Sequence, residues 1–163
     1  MKFAIVVFSA AHAPSSRRTL RFAQAVLAGG HEIVRLFFYQ DGVYSAANNI
    51  VAPQDEQDIA RQWREWVSQH QLDGVVCIAA ALRRGVLNTE EATRYQRSAV
   101  NLDAPWALSG LGQLHDAVQA ADRLICFGGP GDVQILIGDQ PPGTVVRAGR
   151  ARSTGYRAGR RRV

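Results

Sequence analysis

Five short apolar runs, separated by segments long enough to form helices, constrain the fold of this chain more than any other feature. The runs are rich in Val, Ile, Leu and Phe, which is typical of strands buried on both faces of a sheet. They cover residues 2–8, 32–38, 74–80, 106–108 and 123–127. Strands that alternate with helices predict a single α/β domain with a five-stranded, mainly parallel sheet and helices on both faces.

The spacing of apolar residues between these runs predicts four helices. The first begins near Pro14 and ends before Gly29, because proline suits the first turn of a helix and glycine commonly ends one. The others are predicted over residues 55–70, 89–98 and 110–120. The helix over 55–70 has Trp63 and Trp66 on its apolar face, which predicts packing in the core or at a subunit interface.

Residues 1–13 also fit a short secretory signal, since Lys2 precedes an apolar run and Ala11-His12-Ala13 resembles a cleavage site. A buried first strand is the better interpretation, because the run is at the short limit for a signal and its removal would delete the central strand of the sheet. No other apolar stretch approaches the roughly 20 residues that a membrane span needs. We therefore expect no membrane association.

The charge of the chain is concentrated at its C-terminal end. Residues 131–163 hold seven arginines against two aspartates, which accounts for the whole net charge of +5. Their composition has no helical period, so we predict a domain over residues 1–130 followed by a disordered Arg/Gly-rich tail. A tail that contacts RNA is the alternative to a plain unstructured extension, whereas the neutral body gives no reason to expect nucleic-acid binding.

Cys77 is the candidate reactive residue. Its apolar run turns basic at Arg83 and Arg84, and positive charge near a thiol favours the thiolate, which is the nucleophilic form. Functional sites of parallel sheets lie at the carboxyl ends of the strands, where Cys77 and Tyr39 both fall. A buried cysteine that only packs as a small apolar group is the alternative. A histidine partner is not established, since the sequence does not show whether His12, His31, His70 or His115 lies near Cys77.

A lone activated thiol of this kind suits sulfur carriage. Thiolate attack on a persulfide leaves the carrier as Cys-S-S⁻ and requires neither a metal nor a cofactor. Arg83, Arg84 and Tyr39 are the candidate environment of that anion, with a solvated or interface pair as the alternative for the two arginines. Cys77 and Cys126 are too few for a disulfide framework and lack the spacing of a zinc site, so we expect a protein of the reducing cytosol without a bound metal.

Residues 1 to about 128 resemble the DsrE/TusD sulfurtransferase family, and within it the TusD-type subunits. Six segments carry the resemblance, lie in the family's order and cover nearly the whole body: Met1 to Ala4, Gly30 to Val43, Pro53 to Asp55, Cys77 to Gly85, Ser109 to Leu114 and Ala121 to Leu124. The resemblance implies a DsrE-like domain with flavodoxin-like layering, and it assigns the family's persulfide-carrying cysteine to Cys77. The Arg-rich tail departs from the family, whose chains end near Phe127-Gly128.

The same resemblance implies partners. TusD-type subunits assemble with TusB- and TusC-like subunits into a heterohexamer, accept sulfur from a TusA-like donor and pass it to a TusE-like acceptor. The implied destination is the 2-thio group of wobble uridine, so that tRNA is an indirect partner. Sulfur transfer in dissimilatory sulfur oxidation, as in the related DsrE proteins, is the alternative pathway. A non-catalytic interaction subunit is the alternative class.

Overall fold

A computed structural model of the chain describes residues 1–129, 133–137 and 146–147. The strands are β1 (Lys2–Val7), β2 (Glu32–Phe38), β3 (Gly74–Cys77), β4 (Ala107–Ser109), β5 (Arg123–Phe127), β6 (Val133–Ile137) and β7 (Val146–Arg147). The helices are α1 (Pro14–Ala28), α2 (Ile59–Gln69), α3 (Ile78–Arg83), α4 (Thr89–Arg94) and α5 (Leu111–Ala120), with a 3₁₀ helix over Gln40–Ala46. Within the described residues, no helix is both long enough and apolar enough to cross a bilayer.

The strands form one sheet in the order β4-β3-β2-β1-β5-β6-β7. The first five are parallel to one another, which confirms the predicted five-stranded parallel sheet. β1 lies between β2 and β5, so the apolar run at the start of the chain is the middle strand of the seven that the structure describes. The connection from β4 to β5 runs back across the sheet, and a right-handed crossover therefore puts α5 on the face opposite α1 and α2.

The three tryptophans belong to the core of the domain. Trp63 is fully buried, and its ring meets Phe38 edge to face with the ring centroids 5.4 Å apart. Trp106 contacts the same Phe38 at 4.9 Å, and Trp66 packs on Trp63 at 5.9 Å. Such contacts between aromatic rings add to the stabilisation from buried area. The core interpretation of Trp63 and Trp66 is therefore confirmed, and Trp106 packs in the same core.

Three predicted elements have clearly different bounds in the structure. One is the helix predicted over 89–98, which ends at Arg94 as α4. The apolar run over residues 74–80 was predicted as one strand, but the strand ends at Cys77 and the following residues form α3. An apolar run of this length does not by itself distinguish a buried strand from a buried helix, and alanine favours a helix. The second helix begins at Ile59, where the Asp58 carboxylate accepts a hydrogen bond from the Arg61 amide at 2.9 Å.

The segment predicted as a tail contributes strands to the sheet. β6 pairs antiparallel with β5, with Val133 opposite Phe127, and β7 pairs antiparallel with β6. The remaining residues of the predicted tail lie outside the described residues. The domain boundary at residue 130 and the disorder of that remainder therefore stay predictions.

Candidate active site at Cys77

Cys77 is the last residue of β3 and lies beside Ser109 of β4, at the carboxyl edge of the sheet. It is 1% exposed and belongs to the hydrophobic core. The backbone leaves the strand at Cys77, with φ −63° and ψ 114°, and enters α3 directly. The position on the sheet edge matches the prediction, but the thiol is covered. Any exchange at its sulfur requires the surrounding segment to open locally.

Arg84 links the end of α3, the helix that follows Cys77, to the 3₁₀ helix after β2. Its Nε donates to Asp41 Oδ1 at 2.9 Å, and its Nη1 donates to the Ala80 carbonyl at 3.3 Å. Asp41 lies in the 3₁₀ helix that follows β2, so the ion pair ties the end of α3 to the neighbouring loop. The guanidinium is thus bound to these groups, and its proposed action on a persulfide anion stays a prediction.

The 3₁₀ helix that carries Asp41 packs tightly on the end of β1. The Tyr39 amide donates to the Val7 carbonyl and the Gly42 amide donates to the Phe8 carbonyl, each at 2.9 Å. A Cβ atom at Gly42 would overlap the Val7 carbonyl oxygen and lie 2.8 Å from its carbon. A glycine at this position therefore allows the helix to reach the edge of the sheet.

Tyr39, predicted as part of the thiolate environment, packs in an aromatic cluster. Its ring centroid lies 5.7 Å from that of Phe8 and 6.4 Å from that of Phe37. Phe37 and Val75 are neighbours in β2 and β3, so this cluster borders the strand that ends at Cys77. These contacts explain why the ring is partly buried, and they leave its role toward a persulfide as a prediction.

Arg83 lies on a different surface from Arg84. Its side chain is exposed and lines a cavity of about 490 Å³ together with Leu87, Tyr95 and Arg97. Tyr95 and Arg97 follow α4 and were not identified from the sequence, because no motif links residues near position 95 to those near position 83. Their exposed positions after a short helix gave no signal by themselves.

The second cysteine and the histidines lie elsewhere. Burial raises the pKa of the Cys126 thiol on β5 to about 11, so at neutral pH it is the protonated, less reactive form. His31 packs against Phe3 with centroids 5.7 Å apart, and His70 packs against Trp66 at 5.5 Å. His12 lines a separate polar cavity at the start of α1, and His115 lies on α5. Within the described residues, no hydrogen bond joins a histidine to Cys77.

Comparison with known proteins places the described body in a group of sulfur-transfer proteins. A family model described as the DsrE/DsrF-like family matches residues 1–127. The chain is 68% identical over 129 residues to a protein named sulfurtransferase TusD homolog from Pseudomonas aeruginosa, covering 79% of this chain and 98% of that protein. It is 43% identical over 129 residues to the putative sulfurtransferase DsrE of Allochromatium vinosum, covering 78% of this chain and 99% of the relative.

The fold is also found among solved structures. The crystal structure of the ychN protein from E. coli superimposes with a TM-score of 0.60 at 21% identity, covering 78% of this chain and all of that one. At this identity the likeness concerns the fold alone. It agrees with the order of helices and parallel strands described above.

Proposed function

The chain belongs to the DsrE/DsrF-like family and is a sulfurtransferase, and from this premise we propose that Cys77 carries sulfane sulfur as a persulfide in a relay toward the 2-thio group of tRNA wobble uridine. The observation that carries the proposal is the extensive identity to the TusD homolog of Pseudomonas aeruginosa. The position of Cys77 at the carboxyl end of β3 supports it, because sites in parallel sheets lie at that edge.

The chemistry consists of two exchanges. In the first, the Cys77 thiol loses its proton and the thiolate attacks the outer sulfur of a donor persulfide. A new S–S bond forms on Cys77, the donor's S–S bond breaks, and the donor thiolate leaves with the electron pair. In the second, an acceptor thiolate attacks the outer sulfur of the Cys77 persulfide and releases the Cys77 thiolate. The sulfane sulfur keeps its oxidation state throughout, so neither step needs an external oxidant or reductant.

Burial of Cys77 gives the carrier a sheltered sulfur. A persulfide is readily lost to other thiols, and a persulfide on a cysteine that is 1% exposed would meet them only when the site opens. α3 has six residues, so only a short element has to move away from the strand end. The Arg84–Asp41 ion pair at the far end of α3 opposes that motion. In this proposal, the docking of a partner would favour the open form.

The proposed partners are TusB- and TusC-like subunits in a heterohexamer, a TusA-like donor and a TusE-like acceptor. Exposed apolar side chains on α5 support an assembly, since Leu111 is 53% exposed and Val118 is 37% exposed. Ala117 is the buried residue of this helix. Leu111 and Val118 therefore remain available for a neighbouring subunit. The exchange would take place in the cytosol, where isolated thiols stay reduced.

The test is the intact mass of the full chain after incubation with a persulfide donor, for the wild type, Cys77→Ser and Cys126→Ser. We expect the wild type and Cys126→Ser to gain about one sulfur atom, reversed by reductant, and Cys77→Ser to gain none. Cys126→Ser is the matched control, because Cys77 and Cys126 are the two cysteines of the chain and the variant removes the one that is not the proposed carrier. If Cys77→Ser takes up sulfur as the wild type does, or if the wild type takes up none with donor and partner subunits present, the carrier role is wrong.

Transfer in dissimilatory sulfur oxidation is the second candidate pathway. It is favoured by the likeness to the DsrE protein of Allochromatium vinosum, although the identity to the TusD homolog is higher. Deletion of the gene in its native host separates the two. Loss of 2-thiouridine from tRNA supports the tRNA relay, whereas unchanged tRNA thiolation together with impaired sulfur oxidation supports the second pathway.

A further inference from the structure

A groove with a basic rim lies beside the segment that contains Cys77. Its volume is about 490 Å³, and we call it the basic groove. Its lining includes Arg83, Gly85, Leu87, Tyr95 and Arg97. The end of α3 and the following turn form one wall, and the residues after α4 form the other. The buried Leu87 belongs to its interior, whereas Tyr95 is 50% exposed.

The two walls are held together by Asn101. Its Oδ1 accepts a hydrogen bond from the Leu87 amide at 2.8 Å, and its Nδ2 donates to the Gly85 carbonyl at 3.0 Å. The Asn101 amide also donates to the Leu87 carbonyl at 3.0 Å. Gly85 has φ +68°, a conformation that glycine adopts without strain and that ends α3 sharply. The groove is therefore preformed in the isolated chain, which lowers the entropic cost of binding.

The charge of the basic groove is not neutralised within the described residues. Arg84 does not line the groove and is paired with Asp41, and Arg94 is paired with Glu91 at 3.1 Å. Neither Arg83 nor Arg97 makes an ion pair with any described residue. Both arginines line the groove. The combination of apolar lining with two unpaired cations suits a ligand that has both an apolar side chain and carboxylates.

The distance from the groove to the thiol suits a bound peptide. Six residues of helix separate Arg83 from Cys77, a rise of about 9 Å. An extended chain advances about 3.3 Å per residue, so about three residues of peptide span the same distance. A segment held in the groove through its acidic residues can therefore deliver a cysteine on the same strand of peptide to Cys77.

We propose that the basic groove binds an extended acidic segment of the protein thiol that exchanges sulfur with Cys77, with carboxylates on Arg83 and Arg97 and an apolar side chain against Leu87 and Tyr95. This inference rests on the proposed function. A peptide is the occupant because the reaction needs a thiol brought to a covered sulfur, and because the groove offers an apolar interior that a phosphate backbone does not use.

The experiment uses the full chain and two short synthetic peptides. One has aspartates about three residues from a cysteine, and the other has lysines at the same positions. The Arg83→Gln/Arg97→Gln double variant removes both cations of the groove. Arg17→Gln/Arg21→Gln is the matched control, because it removes two exposed arginines of α1 outside the groove. The arginines of residues 131–163 are present in every protein, so their nonspecific attraction cancels in the comparison.

Binding is measured first, by fluorescence anisotropy with the peptide cysteine replaced by serine. We expect the acidic peptide to bind the wild type and the control about tenfold more tightly than it binds the Arg83→Gln/Arg97→Gln variant, with the difference reduced by salt. The lysine peptide should show no such difference. Equal affinity of the acidic peptide for the groove variant and for the control would overturn the proposal. Displacement of the peptide by an RNA oligonucleotide from the wild type, but not from the groove variant, would also overturn it.

The second measurement is the discharge of sulfur from Cys77. The protein is loaded with inorganic polysulfide, and its intact mass is then followed after the peptide is added. The acidic peptide should remove sulfur from the wild type and the control about tenfold faster than from the groove variant. Equal rates would contradict the inference. The two proposals fail separately: absence of sulfur uptake by Cys77 contradicts the carrier role, whereas absence of groove-dependent peptide binding contradicts the basic groove, because binding needs no sulfur on Cys77.

Discussion

Gly42→Ala is predicted to destabilise the protein strongly, although it adds a single methyl group. The new Cβ would overlap the carbonyl oxygen of Val7 and lie 2.8 Å from its carbon, whereas ordinary contacts begin at 3.4 Å. Both atoms belong to the backbone of the central strand β1, so neither can rotate away. Relief requires the 3₁₀ helix over Gln40–Ala46 to move off the sheet edge.

The magnitude follows from what that movement breaks. Overpacking a filled site costs about 1–3 kcal/mol. The shift also weakens the hydrogen bonds from Gly42 to Phe8 and from Tyr39 to Val7, both 2.9 Å long, at about 1 kcal/mol each. We therefore expect the free energy of unfolding to fall by about 2–4 kcal/mol, a large part of the roughly 5–15 kcal/mol typical of a domain. Tm should fall by about 10 °C.

Urea denaturation followed by tryptophan fluorescence measures this difference, since Trp63, Trp66 and Trp106 are buried in the core. Gly112→Ala is the matched control, because a Cβ at that helical position meets nothing within 4 Å. Alanine there should leave the stability unchanged or raise it by up to about 1 kcal/mol. A Gly42→Ala protein within about 0.5 kcal/mol of the wild type, at an unchanged m-value, would refute the argument from the tight contact.

Three further predictions concern single side chains. Asn101→Ala leaves the partly buried Leu87 amide without its acceptor and should lower the free energy of unfolding, measured in urea, by about 1–3 kcal/mol. A change within error would contradict this role. Burial raises the pKa of Cys126 from 9.0 to about 11, so the folded state holds that proton more tightly. The contribution of the protonated Cys126 thiol to the free energy of unfolding is therefore complete below pH 9 and is lost as the pH rises toward 11. Cys126→Ser should remove that part of the pH dependence, and an identical pH dependence of stability in both proteins would contradict this prediction. Arg84→Gln breaks a partly exposed ion pair with Asp41, so stability should change by less than about 1 kcal/mol while alkylation of Cys77 by iodoacetamide becomes faster; unchanged labelling would show that the pair does not restrain the site.

The order of the elements could be predicted because it depends on local patterns. α1 begins at Pro14 and ends before Gly29, as the two residues indicate. The apolar run over residues 2–8 forms β1, with bounds Lys2–Val7, and lies inside the sheet between the parallel strands β2 and β5. Alternation of strands and helices then restricts the arrangement to a parallel sheet, because each parallel connection needs a crossover.

The boundary after Cys77 could not be predicted in the same way. Residues 74–80 are apolar throughout, and the sequence pattern is the same for a buried strand and a buried helix. β3 pairs with β4 only through Val75, Val76 and Cys77, and the residues beyond them fold into α3. The strand therefore ends where its partner ends, and that partner lies some 30 residues further along the chain.

The sequence by itself determined the parallel architecture, the family resemblance and Cys77 as the candidate carrier, since periodicity and motifs are properties of neighbouring residues. Only the tertiary structure decided that Cys77 is covered, that adjacent Arg83 and Arg84 serve different surfaces, and that Arg97 joins Arg83 across a groove. Burial and ion pairing depend on which elements the fold brings together, and segments distant in sequence meet only after the helices have packed on the sheet.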